Sequence, residues 1–354
     1  MNSFIEALET LKVDKRQGEA IKEPLFIVMS ANKWVEQAKL RPTPRKLFSE
    51  FWYEGELCIL FADTNLGKSI LAVQIGDSIS KGVAVCGFNL ESSRQKILYC
   101  DFELSDKQFE ARYSVEFKDH YRFDEFFIRA EINSEGNAEN VEERISQELE
   151  TTVTNCGAKI LIIDNLTYLR SDTEKAKDAL PLMKQLKALK KKHGLSILCL
   201  AHTPKRDLSK PITRNDLQGS KMLINFCDSS FAIGESNKDK SVRYLKQVKA
   251  RNTEMRYDSE NVILCQINKR QSFLGFEFIN FGQERDHLKV LSEYDRESRV
   301  SEAIALSQKG KSNVDIAAHL GVSEGAVRKW LKKVEKPFVP VSTSTTLPDD
   351  KCPF

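Results

Sequence analysis

The chain has 354 residues, of which 41% are hydrophobic and 30% charged, and its 54 Lys and Arg against 51 Asp and Glu leave a formal net charge of +3. This describes a globular protein with one large core and room for a small accessory domain, and excludes a disordered or uniformly basic chain. Contact with a polyanion must therefore come from local patches. The 8 Cys show neither a Cys-x-x-Cys pair nor His/Cys ligand spacing, which argues against structural zinc. Cys58, Cys100, Cys199 and Cys265 sit in apolar runs and read as small buried hydrophobes of a reducing cytoplasm. The first residues lack a signal-peptide core, and no apolar run is long enough to span a membrane.

Residues 1–28 alternate weak helical character with charge, and residues 1–44 are expected to form a helical lead-in and linker. A helix from Ala31 to Lys39 precedes Pro42 and Pro44, then the aromatic group Phe48, Phe51, Trp52 and Tyr53. These rings either cover a nucleotide base or pack the lead-in on the core. From Glu56 to Phe61 an apolar run predicts a buried strand. It ends in Ala62-Asp63-Thr64-Asn65-Leu66-Gly67-Lys68-Ser69-Ile70, and an amphipathic helix follows. The turn matches G-x-x-x-x-G-K-[ST] except that Ala62 stands in the first position. Such a strand–loop–helix aims backbone N–H groups at phosphates, with Lys68 as the cation and Ser69 as a Mg²⁺ ligand. The pattern predicts binding of ATP with Mg²⁺.

Gln95 to Leu104 predicts a second strand with acids, Asp101 and Glu103, only at its carboxyl end, where open α/β sheets bind ligands. A helix over 104–116, a strand over 126–130, a polar loop over 133–140 and a helix over 141–153 follow. Lys159 to Asn165 is a strand that turns polar at Asp164, the position of a Walker B carboxylate that holds Mg²⁺ through water or Ser69. The next residue is Asn165 rather than Glu, so a water-activating carboxylate must come from elsewhere. Glu103 is the candidate, with Asp101 competing because period-2 alternation puts both on one face. A helix over 173–193 and a strand over 196–202 ending in His202 complete an alternation that predicts a mainly parallel sheet covered on both faces. Residues 203–221, with Lys205, Arg206, Lys210, Arg214 and Lys221, read as a mobile basic loop. Beyond Asp228, runs at 229–233, 242–249, 261–267 and 272–280 predict an antiparallel extension of the sheet.

The second strong motif is Asn313 to Lys333: a short helix, the turn at Gly321-Val322, and a helix capped by Ser323. Ala317, Val327 and Leu331 supply an inner face, and Ser323, Arg328, Lys329 and Lys332 a polar, basic face suited to DNA. The pattern resembles the helix-turn-helix of resolvases and sigma-like regulators, with a plain helical hairpin as the alternative. The expected domains are 45–295 for the α/β core, 297–336 for the helix-turn-helix and 337–354 for a disordered tail.

Residues 62–69, Cys100 to Glu103, Ile160 to Asp164, Leu200 to His202, Gln218 to Lys221 and Lys249 to Asn252 together resemble a RecA-type P-loop ATPase. Within that family they resemble particularly the plasmid RepA-like and hexameric replicative-helicase branch, over about residues 45–280. The resemblance implies a RecA-like fold, Glu103 as the residue that polarises the attacking water, and His202 as the γ-phosphate sensor. It implies that Lys249 and Arg251 are cationic fingers offered to a neighbouring subunit, and that the active form is a ring-shaped homo-oligomer, a hexamer being one form. The basic segment then corresponds to a DNA-contacting loop using Lys205, Arg206, Arg214 and Lys221. The function expected is a DNA-dependent ATPase, helicase-like, in replication or maintenance of a plasmid or other mobile element. The alternative is an ATP-switched DNA-binding regulator or loader. Read without the resemblance, His202 satisfies a backbone group, and Lys249 and Arg251 join Arg243 and Lys246 in a solvated basic strand edge.

Overall fold

The structure, a computed structural model, describes residues 26–133, 141–169, 179–204, 206–217, 220–290 and 293–334. The expected loop at 134–140, the start of the helix expected from 173, and the tail from 337 lie outside the described residues. Two units divide at 43/44. In the first, α1 (Ala31–Lys39) is capped by Ser30, whose hydroxyl accepts from Lys33 N at 3.3 Å.

The second unit opens with a small antiparallel pair, β1 (Lys46–Phe48) and β2 (Trp52–Tyr53). Then come β3 (Leu57–Ala62), α2 (Lys68–Lys81), β4 (Ile97–Asp101) and α3 (Asp106–Arg112). A minor hairpin, β5 (Ser114–Val115) and β6 (Asp119–His120), leads to β7 (Phe127–Ala130), α4 (Val141–Cys156), β8 (Ile160–Asp164), α5 (Ala179–His193) and β9 (Ser196–His202). After α6 (Ser220–Phe226), four strands follow without a long helix between them: β10 (Ser229–Glu235), β11 (Val242–Lys249), β12 (Val262–Arg270) and β13 (Phe273–Gly282). The unit closes with α7 (Glu293–Gln308), α8 (Asn313–Leu320) and α9 (Glu324–Val334).

Nine strands form one sheet in the order β13-β12-β11-β10-β3-β9-β8-β4-β7. From β10 to β7 every pairing is parallel, and from β10 to β13 every pairing is antiparallel. The antiparallel extension thus starts one strand later than the sequence suggested, because β10 still runs with β3. All six residues of β3 are buried, as an interior parallel strand requires. Alternation sends Leu57, Ile59 and Phe61 to a layer shared with α4, α5 and α6. Cys58, Leu60 and Ala62 join Leu71, Ala72, Ile75 and Ile79 of α2 on the other face. Phe48, Phe51 and Trp52 are also buried there, and Phe51 stacks on Tyr257 with ring centroids 5.0 Å apart. The packing role of these aromatics is the one realised; they do not lie open to a base. Cys58, Cys100, Cys199 and Cys265 are buried free thiols, as expected.

The helix expected over 104–116 stops at Arg112, where the chain turns into the β5–β6 hairpin. An aromatic group of Phe109, Tyr113, Tyr121 and Phe123 forms between them, and Phe273 of β13 packs on Tyr121 at 4.5 Å. Strand β13 is also tied to α2: Gln74 donates to Phe276 O at 2.9 Å and accepts from Phe276 N at 2.8 Å. The side-chain amide so replaces a strand partner.

Candidate active site and DNA-facing surfaces

The P-loop joins β3 to α2. Asp63, Thr64 and Asn65 are exposed at its tip. Gly67 has φ +93°, and a Cβ there would lie 2.6 Å from Ile267 Cδ1 and 2.9 Å from Phe276, so strands β12 and β13 roof the turn closely enough to require glycine. Gly67 O accepts from Leu71 N at 2.9 Å, which starts the helix. Lys68 is buried, and its Nζ donates to Ala62 O at 3.1 Å and Asp63 O at 3.0 Å. Burial pushes its pKa down, while Asp164, Glu103 and Asp63 oppose the shift. Ser69 and Ile70 follow in the first turn of α2, half-buried.

The carboxyl ends of β4, β8 and β9 bring polar groups to Lys68. His202 Nδ1 is 3.3 Å from Lys68 Nζ, and its Nε2 is 3.3 Å from Glu103 Oε1. Since an ammonium only donates, Nδ1 is the acceptor and the neutral ring carries its proton on Nε2, facing Glu103. Asn165 Nδ2 donates to Glu103 Oε1 and lies 3.0 Å from His202 Nε2, while its Oδ1 accepts from Thr167 N at 2.8 Å. The hydrogen bond from His202 holds the Glu103 carboxyl below the usual range. Asn165 enters this cluster although the sequence singled it out only for not being Glu; its signal was a polar side chain directly after the Walker B position.

Asp101 and Glu103, expected on one face, diverge because β4 ends at Asp101. Asp101 accepts from Arg129 at 3.0 Å and from the backbone N–H groups of Glu103 at 3.2 Å and Leu104 at 3.0 Å. It shapes the turn, and Glu103 alone faces Lys68. Arg129, the single cation of β7, escaped the sequence reading.

Asp164 is buried, with Oδ2 accepting from Tyr99 Oη at 2.6 Å and Oδ1 buried without a hydrogen-bond partner. Burial pushes its pKa from 3.8 to about 6, against the neighbouring Ser69 and Tyr99 hydroxyls, which lower it. An orphaned carboxylate oxygen beside the Ser69 hydroxyl suits a hard divalent cation such as Mg²⁺. Among the described residues no cluster of three His, Cys, Asp or Glu could hold a metal alone. An ion at Asp164 and Ser69 therefore needs phosphate oxygens and water as its other ligands.

Lys249 and Arg251 lie at the opposite end of the sheet. Lys249 pairs with Ser230, which pairs with Ile59, three residues before Ala62. At ~3.3 Å per residue that is about 10 Å below the P-loop. Lys249 Nζ donates to Ile224 O and to Cys227 O at 2.7 Å. Arg251 donates to Asp228 Oδ1 at 3.2 Å and to Asn225 O at 3.3 Å. Both hold the carboxyl end of α6 and stand away from the Lys68 of their own chain. The solvated-edge alternative fails in a different way. Strand β11 is interior, and Lys246 is buried against Glu284 at 2.5 Å. Arg243 donates to Lys240 O at 2.7 Å.

The segment expected as a mobile basic loop is pinned over residues 206–217. Ile212 and Leu217 are buried, and Ile212 N donates to Glu284 at 2.7 Å. Arg206 donates to Lys210 O at 3.0 Å, and the exposed Arg214 to Val248 O at 3.3 Å. Lys205 lies outside the described residues, as do Gln218, Gly219 and the side chain of Lys221.

Helices α7, α8 and α9 enclose a core of Ala303, Ile316, Ala317 and Val327, with Leu331 packed against it. The unit begins at Glu293, four residues before the expected boundary, because α7 completes this core. Gly321, at φ +64°, ends α8 and makes the turn, and Ser323 Oγ accepts from Ala326 N at 3.3 Å at the start of α9. Arg328, Lys329 and Lys332 are exposed, Arg328 pairing with Glu324 at 2.6 Å.

Among the described residues no helix is long and apolar enough to cross a membrane. No curated protein matches the chain. A KaiC-like protein from the hyperthermophilic archaeon Pyrococcus horikoshii OT3 aligns at 14% identity and a TM-score of 0.44, over 64% of this chain and 91% of that one. Residues 294–336 match a homeodomain-like domain, so the trihelical unit is a helix-turn-helix of that type, following a mixed α/β core. Residues 27–207 match the model described as AAA domain, and the chain belongs to that family of P-loop proteins.

Proposed function

We propose that the protein is a DNA-dependent ATPase, in which the site at Lys68 hydrolyses ATP and the helix-turn-helix engages DNA. The observation that carries this reading is the convergence of Lys68, Glu103, Asn165 and His202 beside the orphaned oxygen of Asp164. On this reading Lys68 exchanges the Ala62 and Asp63 carbonyls for phosphate oxygens. Mg²⁺ at Ser69 and Asp164 supplies charge neutralisation on the phosphates. Glu103, oriented by Asn165 and His202 and kept ionised, takes a proton from the attacking water as the terminal P–O bond breaks. His202 senses the γ-phosphate through its bond to Lys68.

Lys249 and Arg251 act, in this reading, on the nucleotide of a neighbouring subunit, which makes the active form a ring-shaped homo-oligomer. The distance from their own P-loop and the exposure of Arg251, 48% of its side chain, support that assignment. The resemblance of the strand-end motifs to RepA-like helicases favours helicase-like work in replication or maintenance of a plasmid or other mobile element. A second reading, an ATP-switched regulator or loader without unwinding, is favoured by the docking of the helix-turn-helix unit on the segment just after His202, where Arg299 meets Asp207 at 3.4 Å.

The test is ATP turnover with and without single- and double-stranded DNA, followed by strand displacement on a forked substrate. Lys68→Ala should abolish turnover. Glu103→Gln should retain ATP but slow its hydrolysis about 10²–10⁴-fold, whereas Asp101→Asn leaves the chemistry running. Normal hydrolysis in Glu103→Gln refutes the assignment. Stimulation by DNA without displacement selects the regulator or loader.

A further inference from the structure

The three-helix unit does not stand apart from the core. Just ahead of α7, Lys289 N donates to Leu208 O at 2.9 Å; from the unit itself, Arg299 pairs with Asp207 at 3.4 Å and Gly321 O accepts from Lys210 Nζ at 3.4 Å. All three anchors fall on 207–210, a turn braced internally by Ser209 to Asp207 at 2.7 Å and by Arg206 to Lys210 O at 3.0 Å. The Asp207 carboxylate is 7% exposed and engaged from several sides, whereas the Lys210 side chain is 54% exposed. Besides Gly321 O, the Lys210 ammonium meets, among the described residues, only the Asp207 carboxylate, at 3.6 Å. An ion pair of that length and exposure contributes little. Asp207 explains how the unit is held, and Lys210 is not needed for it.

Lys210 is notable for its position. Gly321 lies two residues before Ser323, so the core-derived ammonium sits within about 10 Å of the first turn of α9. Along that helix Arg328, Lys329 and Lys332 are exposed at i, i+1 and i+4, which puts them on one side. Resting on the DNA reading of α9, we propose that Lys210 of the ATPase core and the basic side of α9 form one binding surface for the phosphate backbone of duplex DNA. A duplex carries one charge per ~1.7 Å of axis, so several phosphates pass over the span from α9 to Lys210. A duplex seated on α9 is thereby held by both domains. The segment it grips begins five residues after His202, the side chain that touches Lys68 and Glu103.

The experiment is titration of the full-length protein against a labelled duplex across a salt series, for the wild type, Lys210→Ala, Lys210→Arg, Lys329→Ala and Lys210→Ala/Lys329→Ala. Each lost phosphate contact should shallow the log–log salt slope by about one unit. Lys210→Ala is expected to lose about one unit, Lys210→Arg to keep the wild-type slope, and the double variant to lose about two. An unchanged slope in Lys210→Ala beside a shallower one in Lys329→Ala overturns the shared surface and leaves DNA binding by α9 standing. A wild-type protein that ignores duplex DNA, or a slope that neither substitution moves, overturns both.

Discussion

Replacing Lys246 with Met tests how the 206–217 segment is held to the sheet. Lys246 Nζ donates to Ile212 O at 2.7 Å, to Ser259 Oγ at 2.7 Å and to Glu284 Oε2 at 2.5 Å. Glu284 is fully buried and also accepts from Ile212 N at 2.7 Å, Tyr244 Oη at 3.2 Å and Ser259 Oγ at 2.9 Å. Lys246→Met removes the one formal charge that, among the described residues, is bonded to that carboxylate, and strands Ile212 O. Breaking a buried pair from one side costs about 3–5 kcal/mol, the upper end applying where the remaining donors are few. Three donors remain here, so a loss of about 3 kcal/mol is expected. The assay is denaturant unfolding at constant m, with hydrogen exchange at Ile212 as a local probe. Lys246→Met/Glu284→Gln should recover at least half of the loss, since a neutral amide can keep donors and acceptors paired without an isolated charge. A loss under about 1 kcal/mol, the size of a surface pair, or no recovery in the double variant, would refute the argument.

Gly67→Ala must displace Ile267 or Phe276 and hold a φ that alanine resists, so nucleotide affinity should fall at least about tenfold, equivalent to ~1.4 kcal/mol; an unchanged affinity for a fluorescent nucleotide counts against the roofed P-loop. The raised pKa of Asp164, about 6, means that the native state binds its proton more tightly than the unfolded chain. As pH falls through about 6 this group therefore favours the fold while weakening Mg²⁺-dependent nucleotide binding, and Asp164→Asn should remove its contribution to the acid limb of a binding profile. Mixing inactive Lys68→Ala with inactive Arg251→Ala protein should restore part of the ATPase activity, because some interfaces then pair an intact P-loop with an intact finger; full activity of Arg251→Ala alone excludes the finger.

The parallel part of the sheet was legible because its strands are buried on both faces and so read as unbroken apolar runs, such as Leu57–Ala62 and Ile160–Asp164. Strand ends were legible where polarity begins, which is why Asp164 and His202 could be located. The two acids Asp101 and Glu103, two residues apart, were harder. Alternation holds only while the strand lasts, and β4 stops at Asp101, so Glu103 points elsewhere. Charge composition misled at 203–221: five cations suggested solvent, but the anchors are Ile212, Leu217 and a glutamate more than sixty residues downstream. Lys246 shows the same limit, since a lysine in an alternating strand gives no sign that Glu284 waits inside the protein. Asn165 was visible only as a departure from an expected glutamate.

The roof over Gly67 bears on where this protein can be cut. The stretch that matches the AAA model, 27–207, contains Lys68, Glu103, Asp164 and His202, yet it ends before every strand from β10 to β13. A fragment stopped there would lose Ile267 and Phe276 from above the P-loop, and Gln74 would lose the backbone it pairs with in β13. It would also bare one long side of the buried strand β3, where Cys58 to Ala62 pair with β10. Such an apolar open edge recruits other chains before it recruits a nucleotide. The residues gathered around Lys68 therefore fall within one stretch of sequence that is not an autonomous folding unit, and the shortest fragment that keeps a sound cradle extends through Gly282, the last residue of β13.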